Sequence, residues 1–215
     1  MSARRCPGPV LLAVLLLLPA CRSTEPARPP ATAPSTNAPV ILFVGDSITH
    51  GQGLTRDQAF PALLQRRILE AGYDYRCVNV GVSGLTTDGG LGRLGEFQAK
   101  NPAVVVVELG ANDFFRGVPV ERWRDNLAAM VKRFQAGGAR VLVTGTIFPL
   151  AGRDLESAAD AYRAVSEATG AKLLPDIMNG VVGTESLTLE DHIHPNAEGH
   201  VKLAEKIWPQ LMALL

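Results

Sequence analysis

The stretch Val40-Ile41-Leu42-Phe43-Val44-Gly45-Asp46-Ser47-Ile48-Thr49 decides how this chain is read. Five consecutive large apolar residues, four of them β-branched or aromatic, fit a strand buried on both faces. The glycine that follows ends it, and Ser47 then falls just past the carboxyl end. Open α/β sheets bind their ligands at that edge. Ser47 is therefore a candidate nucleophile, provided the chain also supplies a base to take its proton and an acid to orient the base. Asp191-His192-Ile193-His194-Pro195 offers both, with a carboxylate and an imidazole three residues apart.

Working outward from this strand, apolar residues recur at helical spacing at Phe60, Leu63, Leu64 and Ile68. A second strand is expected around residues 75–80, then a Gly-rich turn and a short helix near Leu91 and Leu94. Ala103-Val104-Val105-Val106-Val107-Glu108-Leu109 is the clearest strand of the chain. Trp123, Leu127, Met130 and Phe134 line a long helix that Gly137-Gly138 stops. A fourth strand spans residues 140–144, a helix 155–169 and a short fifth strand 172–174. The last helix starts near Asn196, with Val201, Ala204, Trp208 and Leu211 expected to face inward. Strands apolar on both faces and alternating with helices imply a parallel sheet covered on both sides. The fold expected is α/β: a three-layer α/β/α sandwich around a central parallel five-stranded sheet, flavodoxin-like, its strand order left open.

The N-terminus reads differently. Arg4 and Arg5 precede a short apolar run over residues 10–18. That run falls short of the roughly 20 apolar residues that span a bilayer, so it reads as an export signal. Leu18-Pro19-Ala20-Cys21 resembles a bacterial lipobox, which implies that Cys21 is the lipidated first residue of the mature chain. Residues 21–39, rich in Pro, Ala and Thr, cannot bury a core and read as a tether. Three segments follow: 1–20 signal peptide, 21–39 lipidated cysteine and tether, 40–215 catalytic domain. Once Cys6 is removed and Cys21 acylated, Cys77 has no partner for an internal disulfide and reads as a small core residue. The chain has 21 basic and 21 acidic residues, and two of the basic ones leave with the signal. Such a balance gives no electrostatic footprint for nucleic acid. The four histidines show no metal-ligand spacing with acidic residues, so neither a metal nor a cofactor is expected.

Two further turns join Ser47 at the carboxyl edge. Gly84, in Gly81-Val82-Ser83-Gly84, follows the second strand, and Asn112, in Gly110-Ala111-Asn112-Asp113, follows the third. A glycine amide and an asparagine NH2 are suitable donors to an oxygen that becomes negative. These four ordered blocks resemble the SGNH (GDSL-type) hydrolase superfamily, in particular its bacterial periplasmic arylesterase and thioesterase/lysophospholipase branch. The resemblance covers essentially all of residues 40–215. It implies Ser47 as nucleophile, His194 as general base and acid, and Asp191 as its orienting carboxylate. It also implies an oxyanion hole of the Ser47 and Gly84 amides with the Asn112 side chain.

Close relatives often carry Asp where this chain has Leu85, and Gly where it has His192. Leu85 is expected to make the rim more apolar, and residues 147–152 replace a substrate-contacting loop of relatives. His50 competes as base but shares a short turn with Ser47, which places it poorly for orientation by a distant acid. Asp113 is expected to fix the Asn112 turn through local hydrogen bonds, and His200 to be structural or solvent-facing. The function expected is a serine carboxylester hydrolase acting on a small-molecule or lipid ester. Its anchor would hold a monomer in the cell envelope, at the periplasmic face of the outer membrane, as Arg22 after the cysteine suggests. An O-acetylesterase on envelope polysaccharide needs the same triad. A non-catalytic surface-binding lipoprotein would be expected to carry a broken one.

Overall fold

A computed structural model of the 215-residue chain describes residues 33–149 and 154–215. The signal segment, Cys21, most of the tether and residues 150–152 of the loop lie outside the described residues.

The apolar run that opens the domain is strand β1 (Val40–Gly45), buried at every position. Strands β2 (Arg76–Asn79), β3 (Pro102–Glu108), β4 (Arg140–Thr144) and β5 (Lys172–Leu174) follow, and all pair in parallel. Their order is β2-β1-β3-β4-β5, the flavodoxin-like arrangement expected, with the strand sequence now fixed. The chain leaves β1 towards β2 and then crosses back to place β3 on β1's other side. The loops after β1 and β3 therefore diverge, opening the crevice in which such sheets hold ligands.

Because side chains alternate along a strand, β1 feeds two cores. Val40, Leu42 and Val44 pack with Val105, Val107, Val141 and Val143 on one face. That face is covered by α4 (Leu94–Gln98), α6 (Val120–Ala136) and α7 (Leu155–Thr169) through Phe97, Leu127, Phe134, Tyr162 and Val165. Ile41 and Phe43 pack with Val104, Val106 and Leu142 on the other face, beneath α2 (Phe60–Glu70) and α8 (Ala197–Met212). Each fully buried Val, Leu, Ile or Phe contributes about 1.5–3 kcal/mol of transfer free energy, so the two faces dominate stability. No helix among the described residues is long and apolar enough to cross a membrane.

Three local readings need correction. The single helix expected near Leu91 and Leu94 is two, α3 (Thr87–Gly92) and α4, broken at Arg93. Two turns that carry candidate site residues also begin short helices, α1 (Ser47–His50) and α5 (Ala111–Phe115). In α8 the inward face is His200, Leu203, Ala204, Ile207 and Leu211, whereas Val201 is 43% exposed. Trp208 is only half-buried and lies under the Arg67 guanidinium at 4.6 Å. A histidine at position 200 hid the true helical phase, because Val201 beside it is the residue that looks as though it belongs inside.

His200 is buried because it has a partner. Its Nδ1 accepts the Phe60 N–H at 3.1 Å, and its ring stacks on that of Phe60. The bond satisfies a donor at the first turn of α2, which no side chain caps. Burial, with His194 adding to it, lowers its pKa from 6.5 to about 4. Between those values the unfolded chain binds a proton that the folded one refuses, so stability falls as pH drops through this window and levels off below it. The loss is about 3 kcal/mol. His200→Gln, whose amide oxygen can still accept the Phe60 N–H, is expected to flatten this part of the stability-against-pH curve. Urea melts between pH 7 and 4 check it; equal slopes for both proteins would contradict the assignment.

Candidate active site

The turn that carries Ser47 is built by the residue before it. Asp46 caps α1, its Oδ1 accepting the Ile48 N–H at 3.0 Å, which satisfies a donor at the helix start. Ser47 is thereby held at the carboxyl end of β1. His194, 147 residues further on, brings Nε2 to 2.9 Å from Ser47 Oγ. Its Nδ1 is 2.5 Å from Asp191 Oδ2, while Asp191 Oδ1 accepts the N–H groups of Ile193 and His194, both at 2.9 Å. Partial burial alone would raise the Asp191 pKa, but the His194 ring, the His194 amide and the Ile193 amide outweigh it and hold the carboxyl at about 2. An ionised carboxylate only accepts, so the ring proton sits on Nδ1 and the Nε2 lone pair faces the serine hydroxyl.

The candidate donors come from the turns after β2 and β3. Gly84 adopts φ +79°, a conformation that glycine takes without the Cβ penalty. Among the described residues, the Ser47 and Gly84 N–H groups have no intramolecular acceptor. The Arg116 guanidinium donates to the Gly84 carbonyl at 3.0 Å and so holds the peptide that follows Gly84. Asn112 follows Gly110, whose φ of +123° and 2.5 Å gap between a would-be Cβ and the Tyr162 hydroxyl exclude any larger residue. The Asn112 Nδ2 donates to Asp46 Oδ2 at 2.8 Å and, more loosely, to the Leu85 carbonyl at 3.3 Å. Every residue singled out in the sequence for this chemistry thus converges on one edge: Ser47, Asp191, His194, Gly84 and Asn112.

The remaining candidates separate cleanly. His50 Nδ1 is 3.3 Å from the Gly81 carbonyl, and the residue lines a different cleft of about 900 Å³ along the outer edge of β2 with Arg56, Gln65, Arg66 and Cys77. Cys77 is half-buried there, and burial pushes its thiol up to about 12, leaving it unreactive. Asp113 does not act locally. It is buried and accepts from the Thr87 N–H at 2.9 Å and the Thr87 hydroxyl at 2.7 Å, tying α5 to the start of α3. Leu85 is half-buried, packs against the core and touches Asn112 through its carbonyl. Val82 and Ile193, close in sequence to Gly84 and His194, are 41% and 36% exposed. His192 is exposed and takes φ +57°, which gives a backbone reason for glycine at this position in relatives.

Sequence reasoning missed Glu108, which is fully buried at the end of β3, with the Thr49 and Thr146 hydroxyls at 2.8 and 2.7 Å from its two oxygens. Its signal was in plain view, as a carboxylate closing an otherwise apolar strand.

The profile of the GDSL-like Lipase/Acylhydrolase family matches residues 43–202, which hold all of these positions. The chain belongs to this family. Membership places it among the carboxylic ester hydrolases. The esterase TesA of Pseudomonas aeruginosa is 41% identical over 181 residues, 83% of this chain and 90% of that one. The TesA crystal structure superposes with a TM-score of 0.79, covering 82% of this chain and 99% of the other. The arylesterase of Vibrio mimicus is 30% identical over 84% of this chain and 92% of its own length. The protein of Escherichia coli K12 described as thioesterase 1/protease 1/lysophospholipase L1 is also 30% identical, over 83% of this chain and 86% of its own.

Proposed function

We propose that this GDSL-family hydrolase cleaves esters through an acyl-enzyme on Ser47. The observation that supports this most is the unbroken run from Asp191 through His194 to Ser47, with contacts of 2.5 and 2.9 Å. His194 Nε2 takes the hydroxyl proton as Oγ bonds to the carbonyl carbon. The tetrahedral oxyanion collapses, the bond to the leaving oxygen or sulfur breaks, and the leaving group takes that proton from His194. Water then repeats the sequence, and the acid departs. The Ser47 and Gly84 amides and Asn112 Nδ2 face the oxyanion. Asn112 serves this end by giving up its longer bond, to the Leu85 carbonyl, while Asp46 keeps the shorter one.

That exchange makes Asn112 a transition-state contact. Asn112→Ala is expected to lose about 10²–10³ in kcat, with KM little changed, as for other single oxyanion-hole donors. Steady-state kinetics on an aryl ester check it. A normal kcat with a raised KM would place Asn112 in substrate binding instead.

The substrate class is an ester with an apolar acyl or aryl group, which the exposed Val82 and Ile193, close in sequence to Gly84 and His194, favour. The names of the arylesterase and thioesterase relatives lean the same way. An acyl-length series of aryl esters run beside acetylated sugars tests it; faster turnover of the sugars would assign the site to carbohydrate deacetylation.

The enzyme is further proposed to work as a monomer anchored through Cys21, facing the periplasm from the outer membrane. The support is in the sequence: Arg4 and Arg5, the apolar run, Leu18-Pro19-Ala20-Cys21, and Arg22 after it. Several acyl chains at about 0.8 kcal/mol per buried CH2 hold a protein stably. Cys21→Ser is expected to move the protein from the detergent phase to the soluble fraction or leave it unprocessed, with esterase activity unchanged. Equal soluble recovery of both forms would remove the anchor.

A further inference from the structure

Beneath the oxyanion hole lie two carboxyl groups, Asp46 and Glu108, that the hydrolytic steps above do not consume. Glu108 is fully buried and Asp46 almost so, and the Asp46 N–H donates to Glu108 Oε2 at 3.4 Å. Glu108 reaches three elements. Its Oε2 accepts the Thr49 N–H at 3.3 Å, the Thr49 hydroxyl at 2.8 Å and the Asp46 N–H at 3.4 Å; its Oε1 is 2.7 Å from the Thr146 hydroxyl just past β4. Asp46 in turn orients Asn112 through Oδ2 and caps α1 through Oδ1. One connected cluster therefore joins the ends of β1, β3 and β4 to the nucleophile turn and to Asn112.

Resting on the hydrolase reading, we propose that Glu108 is a positioning residue of the oxyanion hole that works in its protonated form, sharing a single negative charge with Asp46. Two ionised carboxylates this close and this deep would repel each other at low dielectric. No lysine or arginine among the described residues pairs with either. The other titratable groups facing this corner are His194, which favours the charged form of Asp46, and Tyr162 and Asp113, which bring no positive charge.

The bonding pattern says where the proton sits. Two N–H groups and a hydroxyl converge on Oε2, and an N–H can only donate, so Oε2 is the carbonyl-like oxygen. The proton belongs to Oε1, whose partner is the Thr146 hydroxyl. Burial, and then the Asp46 charge, raises Glu108 well above the usual carboxylate range, while burial brings Asp46 up to about 6. At neutral pH the charge thus rests on Asp46, where it holds the Asn112 amide. A second charge would oppose the oxyanion that forms nearby, and the proton on Glu108 prevents it.

Gln is the isostere of a protonated Glu, its amide nitrogen replacing the Oε1 hydroxyl and its oxygen keeping the Oε2 bonds. Glu108→Gln is expected to keep kcat within about threefold of wild type, whereas Glu108→Ala and Asp46→Asn each lose about 10²-fold in kcat at nearly constant KM. Infrared spectra at pH 8 supply a readout that a purely structural role would not move. Wild type should show the carbonyl stretch of a protonated carboxylic acid, and Glu108→Gln should lack it. A Gln variant as impaired as the Ala variant, or a wild type without that band, overturns the proposal. These outcomes are read on a wild type that turns over ester. A wild type that cleaves none defeats the hydrolase reading itself.

Discussion

Ser47→Ala is expected to yield a folded protein whose kcat for ester hydrolysis is lower by about 10⁶, and His194→Ala an equal loss. The fold should survive both changes for the same reason. The Ser47 hydroxyl has His194 as its side-chain partner, while the turn around it is held by other residues. Asp46 caps one end of α1, and Gly51, at φ +82°, closes the other by donating to the Ser47 carbonyl. The loop that carries His194 is held by Asp191 Oδ1 and by the Leu189 N–H on the His194 carbonyl. Thermal melts should therefore differ from wild type by no more than about 0.5 kcal/mol equivalent. Because nucleophile and base act as one unit, the double variant should be no slower than either single one. His50→Ala, by contrast, should retain turnover; the reverse order of the two histidine variants would move the base to His50.

Asp191→Asn is the second large effect, about 10⁴ in kcat, and the geometry fixes its cause. Asp191 Oδ1 already accepts two backbone N–H groups, so the asparagine oxygen must occupy that position. Its NH2 is then forced to face Nδ1 of His194. Two donors cannot share a hydrogen bond, so the ring proton shifts to Nε2, which then meets Ser47 without a lone pair. The loop keeps its backbone bonds while the base is lost. Circular dichroism and melting should match wild type, and kcat should carry the whole loss. A variant that loses less than tenfold would mean that Asp191 does not set the tautomer.

Much of this was legible in the sequence because it was written locally. β1, β3 and β4 are buried on both faces, so each announces itself as an unbroken apolar run. Asp191 and His194 lie three residues apart on one turn, and Gly84 and Asn112 each follow a recognisable strand. What escaped notice depends on contacts between distant segments. His200 is read as inward only once the Phe60 N–H, 140 residues away, is known to need an acceptor. Asp113 resembles a local turn-former, yet its partner is Thr87 on another helix. Glu108 is conspicuous in its strand, but its partners Thr49, Thr146 and Asp46 belong to other elements. The strand order escaped for a related reason: apolar patterning fixes which residues are buried, not which strand lies beside which.

The claim on which the rest depends is that Ser47 is the residue that takes the acyl group. Intact-mass analysis after treatment with a small fluorophosphonate tests it most directly, because the reagent attacks an activated serine and stays bound. The wild type should gain one phosphonyl group, located on Ser47 by peptide mapping, at a rate slowed in Asn112→Ala and abolished in Ser47→Ala. A folded wild type that gains none, or a label that persists in Ser47→Ala, would contradict the account.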